Sequence, residues 1–221
     1  MTTERSAHDR VWSRLKHVTG AVGLLAIPLL FASVITIAEG EPPPLSSVEQ
    51  AARYFREADG AWLQPAFALF AVSMLVFLWF AVGLSLILRR AEPDPPWRST
   101  VALMSGVVLV AFGLVNPSIA AAVHRGDVID PALAAYAWDV GTFGFANAWL
   151  ALGSFALASG LASRATGAFP RWLAWLGIVS GILLVSARFV WTVEVLWVLP
   201  YIATWIWVLT TCVLLLRRPA R

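Results

Sequence analysis

Few ionisable or amide side chains interrupt the long apolar stretches of this chain. Asp139 lies inside the apolar run 134–161, Arg188 near the end of 172–190 and Glu194 just ahead of 196–216. Asn116 stands before Pro117 toward the end of 99–122, His124 follows that run, and Asn147 comes eight residues after Asp139. If successive runs cross a bilayer in alternating directions, all six residues fall toward the same side. Charged groups at membrane depth are costly and mark function more often than surface charges do. Asp139, about five residues into its run and so roughly 8 Å below the rim, could pair with Arg188. Asn147 shares a helix face with Asp139 and would floor an outward-open polar pocket near the midplane. A structural pin fits the same residues. An ion pair near the rim is cheap, Arg188 can snorkel, and the two asparagines can bond between helices.

The chemistry that is missing narrows the field. The histidines are His8, His17 and His124, so paired haem ligands at depth are absent. No HExxH and no acidic pair at helical spacing suggests zinc or a di-metal centre. Lys16 precedes the first apolar run, which leaves no lysine for a buried Schiff base. There is no GxSxG, and no serine has a histidine at matching depth. There is also no P-loop and no GxGxxG. The reading is therefore non-catalytic and without a cofactor. It points to a binding, sensing or accessory protein for a lipid, small ligand or membrane partner. A small-solute transporter using Asp139 and Arg188 is the alternative, and an intramembrane enzyme the third. Cys212 stands alone, so no intramolecular disulfide can form.

These side chains need a scaffold, and composition says which kind. Of 221 residues 59% are hydrophobic and 13% charged, with a mean hydropathy of +0.75. Soluble domains run nearer 25% charged, and apolar runs this long exceed what a water-facing fold buries. Six runs, near 18–38, 61–88, 99–122, 134–161, 172–190 and 196–216, are each long enough to cross about 30 Å of hydrocarbon. The expected fold is an all-α, six-span bundle over 18–216, with a basic segment 1–17 before it and a tail 217–221 after it. The first run is longer than a signal-peptide core of roughly 7–15 residues, so it reads as a retained span. The last two are joined tightly and form a hairpin.

Orientation follows from the basic residues. With a cytoplasmic N-terminus, 12 of the 16 Lys+Arg fall inside and only Arg53, Arg56, Arg125 and Arg188 outside. The positive-inside rule then places both termini in the cytoplasm of a bacterial inner membrane. The net charge of +3 reflects span-end residues meeting anionic lipid, and nucleic acid is not an expected partner. Of the 12 tryptophans, Trp12, Trp62, Trp97, Trp138, Trp172, Trp175, Trp191 and Trp197 fall at span ends, as an interfacial belt would. Trp79, Trp149, Trp205 and Trp207 lie deeper and read as packed or lipid-facing bulk. Pro117 predicts a kink in the third span. Gly177 and Gly181 make a GxxxG, and Ser154, Ala158 and Ala162 a row of small residues. Either could serve packing within the bundle or a homodimer.

The long loop is 39–60, EGEPPPLSSVEQAARYFREADG. Pro42 to Pro44 stiffen it, and Ser46 or Ser47 can cap a helix, with Glu49 placed for a capping box from Ser46. Val48, Ala51, Ala52 and Phe55 recur at helical spacing. The result is a short amphipathic helix, either resting on the interface or closing over an outward cavity.

The order of basic N-terminus, first span, sizeable outer loop and five further spans carries a family likeness. So does the stretch AYAWDVGTFGFANAWLALGSFALASGLASR, followed by PRWLAWLG from Pro170 to Gly177. The chain resembles the DUF4386-like bacterial six-span integral membrane proteins, a group of unknown function. The resemblance implies the architecture and assigns no site residue.

Overall fold

Hydrophobic runs of this length, with few helix breakers inside them, satisfy their backbone groups in lipid only as helices. A computed structural model describes residues 2–39, 41–43, 45–58, 60–115 and 117–217, without the side chains at 2–8, 115 and 127. The chain forms α1 (Thr2–Ala38), α2 (Val48–Glu57), α3 (Gly60–Ala91), α4 (Trp97–Val115), α5 (Ser118–Arg125), α6 (Pro131–Thr166), α7 (Arg171–Ala187) and α8 (Glu194–Arg217). No strand occurs among the described residues. Six segments are long and apolar enough to span a membrane, with α4 and α5 together making the third. α1 starts well before the expected first span and carries the basic segment into the helix.

The spans form a closed ring in chain order. α1 packs on α3, α3 on α4, α4 on α6, α6 on α7, α7 on α8, and α8 returns to α1. An aromatic core fills the ring: Phe77, Phe80, Phe155, Trp149, Trp205 and Trp207 are buried, with edge-to-face pairs such as Phe77–Trp205 at 5.7 Å. Cys212 is buried beside them. An even number of spans puts both termini at one end, here the termini face. The opposite end, which carries α2 and α5, is the lid face.

Lipid offers little hydrophobic reward for joining helices, so close backbone approach has to supply the attraction. The α6–α7 seam does this with glycine. A Cβ on Gly181 would stand 2.5 Å from the Gly153 carbonyl oxygen, and one on Gly160 2.7 Å from that of Ala174. Gly177 lies against Trp207 and the Ala156 carbonyl. Gly177 and Gly181 are therefore taken up by packing within the chain, the first of the two uses expected for them. Of the small-residue row, Ser154 faces α4, where its hydroxyl bonds that of Ser105 at 2.8 Å.

The third span does more than kink. α4 ends at Val115 and α5 begins at Ser118, with Pro117 in between, because proline has no N–H to continue the ladder. At the termini face Glu92 caps the start of α4. Its carboxylate accepts from the Arg98 and Ser99 backbone N–H at 3.2 and 3.0 Å and from the Arg98 guanidinium at 3.2 Å. Burial raises the Glu92 carboxyl, but the Ser99 and Arg98 hydrogen bonds outweigh it and hold it below its ordinary value.

Substituting Gly181→Ala should lower the melting temperature in detergent by the equivalent of about 1–3 kcal/mol, the usual cost of overpacking. Gly60→Ala, whose Cβ would meet nothing within 4 Å, should stay within about 0.5 kcal/mol of wild type. A thermal melt of both variants checks this, and equal midpoints would show that the seam can part without cost.

Candidate functional site

The seam also sets depth. α7 with its 3₁₀ extension runs Arg171–Val190, 20 residues, or about 30 Å, the thickness of the hydrocarbon. α6 has 36 residues and rises about 54 Å. Both helices start from the turn at Gly167, and the glycine register carries them antiparallel to the level where Arg188 meets Asn147. Beyond that level α6 continues past the end of α7 into a layer built from α2, α5 and its own first turns. Asp139 belongs to that projection. It sits eight residues beyond Asn147, about 12 Å farther out, and is half-buried. Asn147 accordingly lies level with the lid-side end of α7.

Arg188 donates from Nε to Asn147 Oδ1 at 2.7 Å, and its guanidinium carbon lies 5.8 Å from the Phe143 ring. The expected Asp139–Arg188 pair does not form; the ion pairs among the described residues are Arg90–Asp9 and Arg98–Glu92. Glu194 at the start of α8 and His124 in the last turn of α5 are exposed and stand apart from Arg188. Asn116 lies outside the described residues. Of the five sequence candidates among the described residues, Asn147 and Arg188 are brought into contact. Arginine has donors only, so the atom facing it must be the amide oxygen. The Asn147 NH2 is thereby turned elsewhere, and it has no protein acceptor among the described residues.

That amide lines a groove of about 590 Å³ between α4 and α6. Val101, Met104, Val108 and Phe112 of α4 and Leu150 and Ala151 of α6 form its walls. The Ser105 and Ser154 hydroxyls within it bond each other, and Thr100 bonds back to the Pro96 carbonyl. The groove is therefore apolar along its length, with the Asn147 amide at its lid-side end. It opens sideways between helices instead of outward beneath α2.

The lid face is closed by packing. Ser47, not Ser46, caps α2. Its hydroxyl accepts from the Gln50 N–H, while the Gln50 side chain accepts from the Ser47 N–H. The box thus uses Gln50 where Glu49 was expected, and Glu49 stays exposed. Ala51, Ala52, Tyr54 and Phe55 are buried against Leu63, Val123, Ala137 and Trp138. Val48 faces outward. The helix thus seats its apolar side in the protein. Trp138, expected in an interfacial belt, is almost wholly buried here and donates weakly to the Pro43 carbonyl at 3.4 Å. Trp197 likewise leaves the belt and stacks on Trp149 at 4.9 Å. Trp62, Trp97, Trp172 and Trp175 are exposed at helix ends, as a belt requires, and Trp79 is exposed mid-helix.

Sequence reasoning missed Glu41. It is half-buried where the loop leaves α1, and burial pushes its carboxyl up to about 7. Tyr54, whose hydroxyl reaches the Ile37 carbonyl at 3.5 Å, is pushed up by burial and then by the Glu41 charge. A lone acid in a proline-rich loop carries no periodic signal, so nothing in the sequence singled it out. Among the described residues no group of three or more His, Cys, Asp or Glu side chains comes together.

Comparison of the chain with models of protein families, with characterised proteins and with solved structures finds no match. What can be said of the site rests on its geometry.

Docking of α2 should depend on pH through Glu41. Its folded value is raised to about 7 from an ordinary 4.5, so the docked state favours the proton. The stabilisation is full below about pH 4.5, declines as pH rises, and is gone above about 7. Hydrogen exchange of the α2 amides, corrected for intrinsic rates, should show greater protection at about pH 5 than at about pH 8. Glu41→Gln should retain the higher protection at both.

Proposed function

We propose that this is a non-catalytic integral membrane protein that holds a lipid in the groove between α4 and α6. The observation that carries the reading is the pairing of an apolar trough with one free amide at its end. Binding sites for small amphiphiles are mostly apolar, with a few placed polar groups that fix orientation. From Thr100 to Phe112 the trough follows thirteen residues of α4, a rise of about 18 Å, slightly more than one leaflet of a roughly 30 Å core. The Asn147 NH2 lies near the lid-side boundary, the level of the ester carbonyls of a glycerolipid. It can donate to such a carbonyl while the acyl chain runs down past Val108 and Met104. Arg188 acts as a positioning residue by fixing which way the amide faces. The basic residues of the termini face (Arg89, Arg90, Arg98, Arg164, Arg171, Arg217) support cytoplasmic termini and a bacterial cytoplasmic membrane. A place among the DUF4386-like proteins is part of the same proposal.

Native mass spectrometry of protein released from native-lipid nanodiscs tests the groove. A discrete lipid mass should travel with wild type and be lost from Val108→Trp, which fills the trough from its open side. Retention of the same mass at the same stoichiometry in the filled variant would remove the groove as the site. Orientation has its own test. A fluorescent reporter fused after Arg221 that folds only in the cytoplasm should be bright, and a dark fusion would reverse the topology.

A further inference from the structure

A second concavity, of about 430 Å³, opens at the termini face, away from the groove. One wall is the face of α1 that carries Asp9, Trp12, Ser13 and Lys16, at the i, i+3, i+4, i+7 spacing of a single helical stripe. The opposite wall is the end of α3, with Ile87 and Arg90. Gly167, in the left-handed region at φ 68°, turns the chain out of α6 so that buried Phe169 reaches the same space.

The charges there are only partly matched. The Arg90 guanidinium lies over the Trp12 ring at 4.3 Å and meets Asp9 at 3.9 Å, a long contact between exposed side chains. Such pairs contribute little. Lys16 has no ion-pair partner among the described residues. The stacking holds Arg90 in place, and its contact to Asp9, the one acid it meets among the described residues, is longer than a hydrogen bond allows. Two cations, one weakly engaged acid and the Ser13 hydroxyl therefore sit above an apolar floor of Ile87, Phe169 and Leu215. They do so where helices leave the bilayer.

We propose that this cavity binds the phosphate of an anionic phospholipid between Lys16 and Arg90. The apolar floor of Ile87, Phe169 and Leu215 meets the glycerol end of the lipid, whose acyl chains leave into the bilayer. Phosphate is the chemistry that an ammonium and a guanidinium at one mouth recognise. The apolar floor and the position at the membrane boundary select a phosphate carried on a lipid over one free in water. The inference stands apart from the groove, which lies on other helices and requires no charge.

The test is a titration of the full chain in detergent with phosphatidylglycerol or phosphatidylcholine, read by native mass spectrometry. Wild type should hold phosphatidylglycerol more tightly than phosphatidylcholine. The double variant Lys16→Gln/Arg90→Gln should bind phosphatidylglycerol about tenfold more weakly. Ser13→Trp, which fills the cavity and keeps both cations, should lose it as well. Arg171→Gln, on the same face but outside the cavity, should bind as wild type. Unchanged binding in the double variant or in Ser13→Trp would overturn the proposal, as would an equal loss in Arg171→Gln, which would indicate diffuse surface charge. Displacement of the lipid by inorganic phosphate would overturn the lipid assignment in favour of free phosphate.

Discussion

Everything in this bundle depends on how closely α6 and α7 approach. A water-soluble protein gains stability by removing apolar surface from solvent, but a helix in lipid already has apolar neighbours. What remains is dispersion between atoms brought within contact, a short-range force that needs the backbones near each other. Gly153, Gly160 and Gly181 remove the side chains that would hold α6 and α7 apart. Their register then decides that Arg188 meets Asn147 and not Asp139. The Arg188–Asn147 hydrogen bond is thus a product of where the glycines fall.

The span pattern was legible because hydrophobicity reports faithfully when lipid is the reason for it. It misled where protein was the reason. The first turns of α6 are apolar because Ala134, Ala137 and Trp138 lie under α2, and hydropathy cannot tell that burial from burial in a bilayer. Asp139 was expected to pair with Arg188, whereas the part of α6 that carries it stands beyond the end of α7. Trp138 was assigned to an interfacial belt for the same reason. Ser47 and Ser46 are chemically equivalent as caps, so the choice between them belongs to the backbone geometry that the loop imposes. The break at Pro117 could be anticipated in position but not in extent, since whether a helix bends or restarts depends on what its freed carbonyls find.

The polar groups of the molecule divide by role. At the lid face they tie the loop and α2 down, through the Ser47–Gln50 box and Tyr54. At the termini face Glu92 starts α4, and Arg90 is parked on Trp12. Between these layers the hydroxyls of Ser105, Ser154, Thr204 and Thr211 are bonded to each other or to their own helix. The middle of the ring is aromatic, and within it the Ser85 and Ser159 hydroxyls are buried without a hydrogen-bond partner among the described residues.

The ring order bears on how the molecule is made. Each span, as it leaves the ribosome, finds its neighbour in the span just inserted, so assembly proceeds by successive local additions. The exception is the last. α8 must find α1, the first of the described helices, and it seats against Gly20 with Cys212 and Leu216 in contact there. Until α8 is in place, Gly20 lacks its Cys212 and Leu216 neighbours, and Phe77 lacks the Trp205 ring that completes its surroundings. Closure of the ring therefore waits on α8, and it couples the packing of the two described helices that lie farthest apart along the chain.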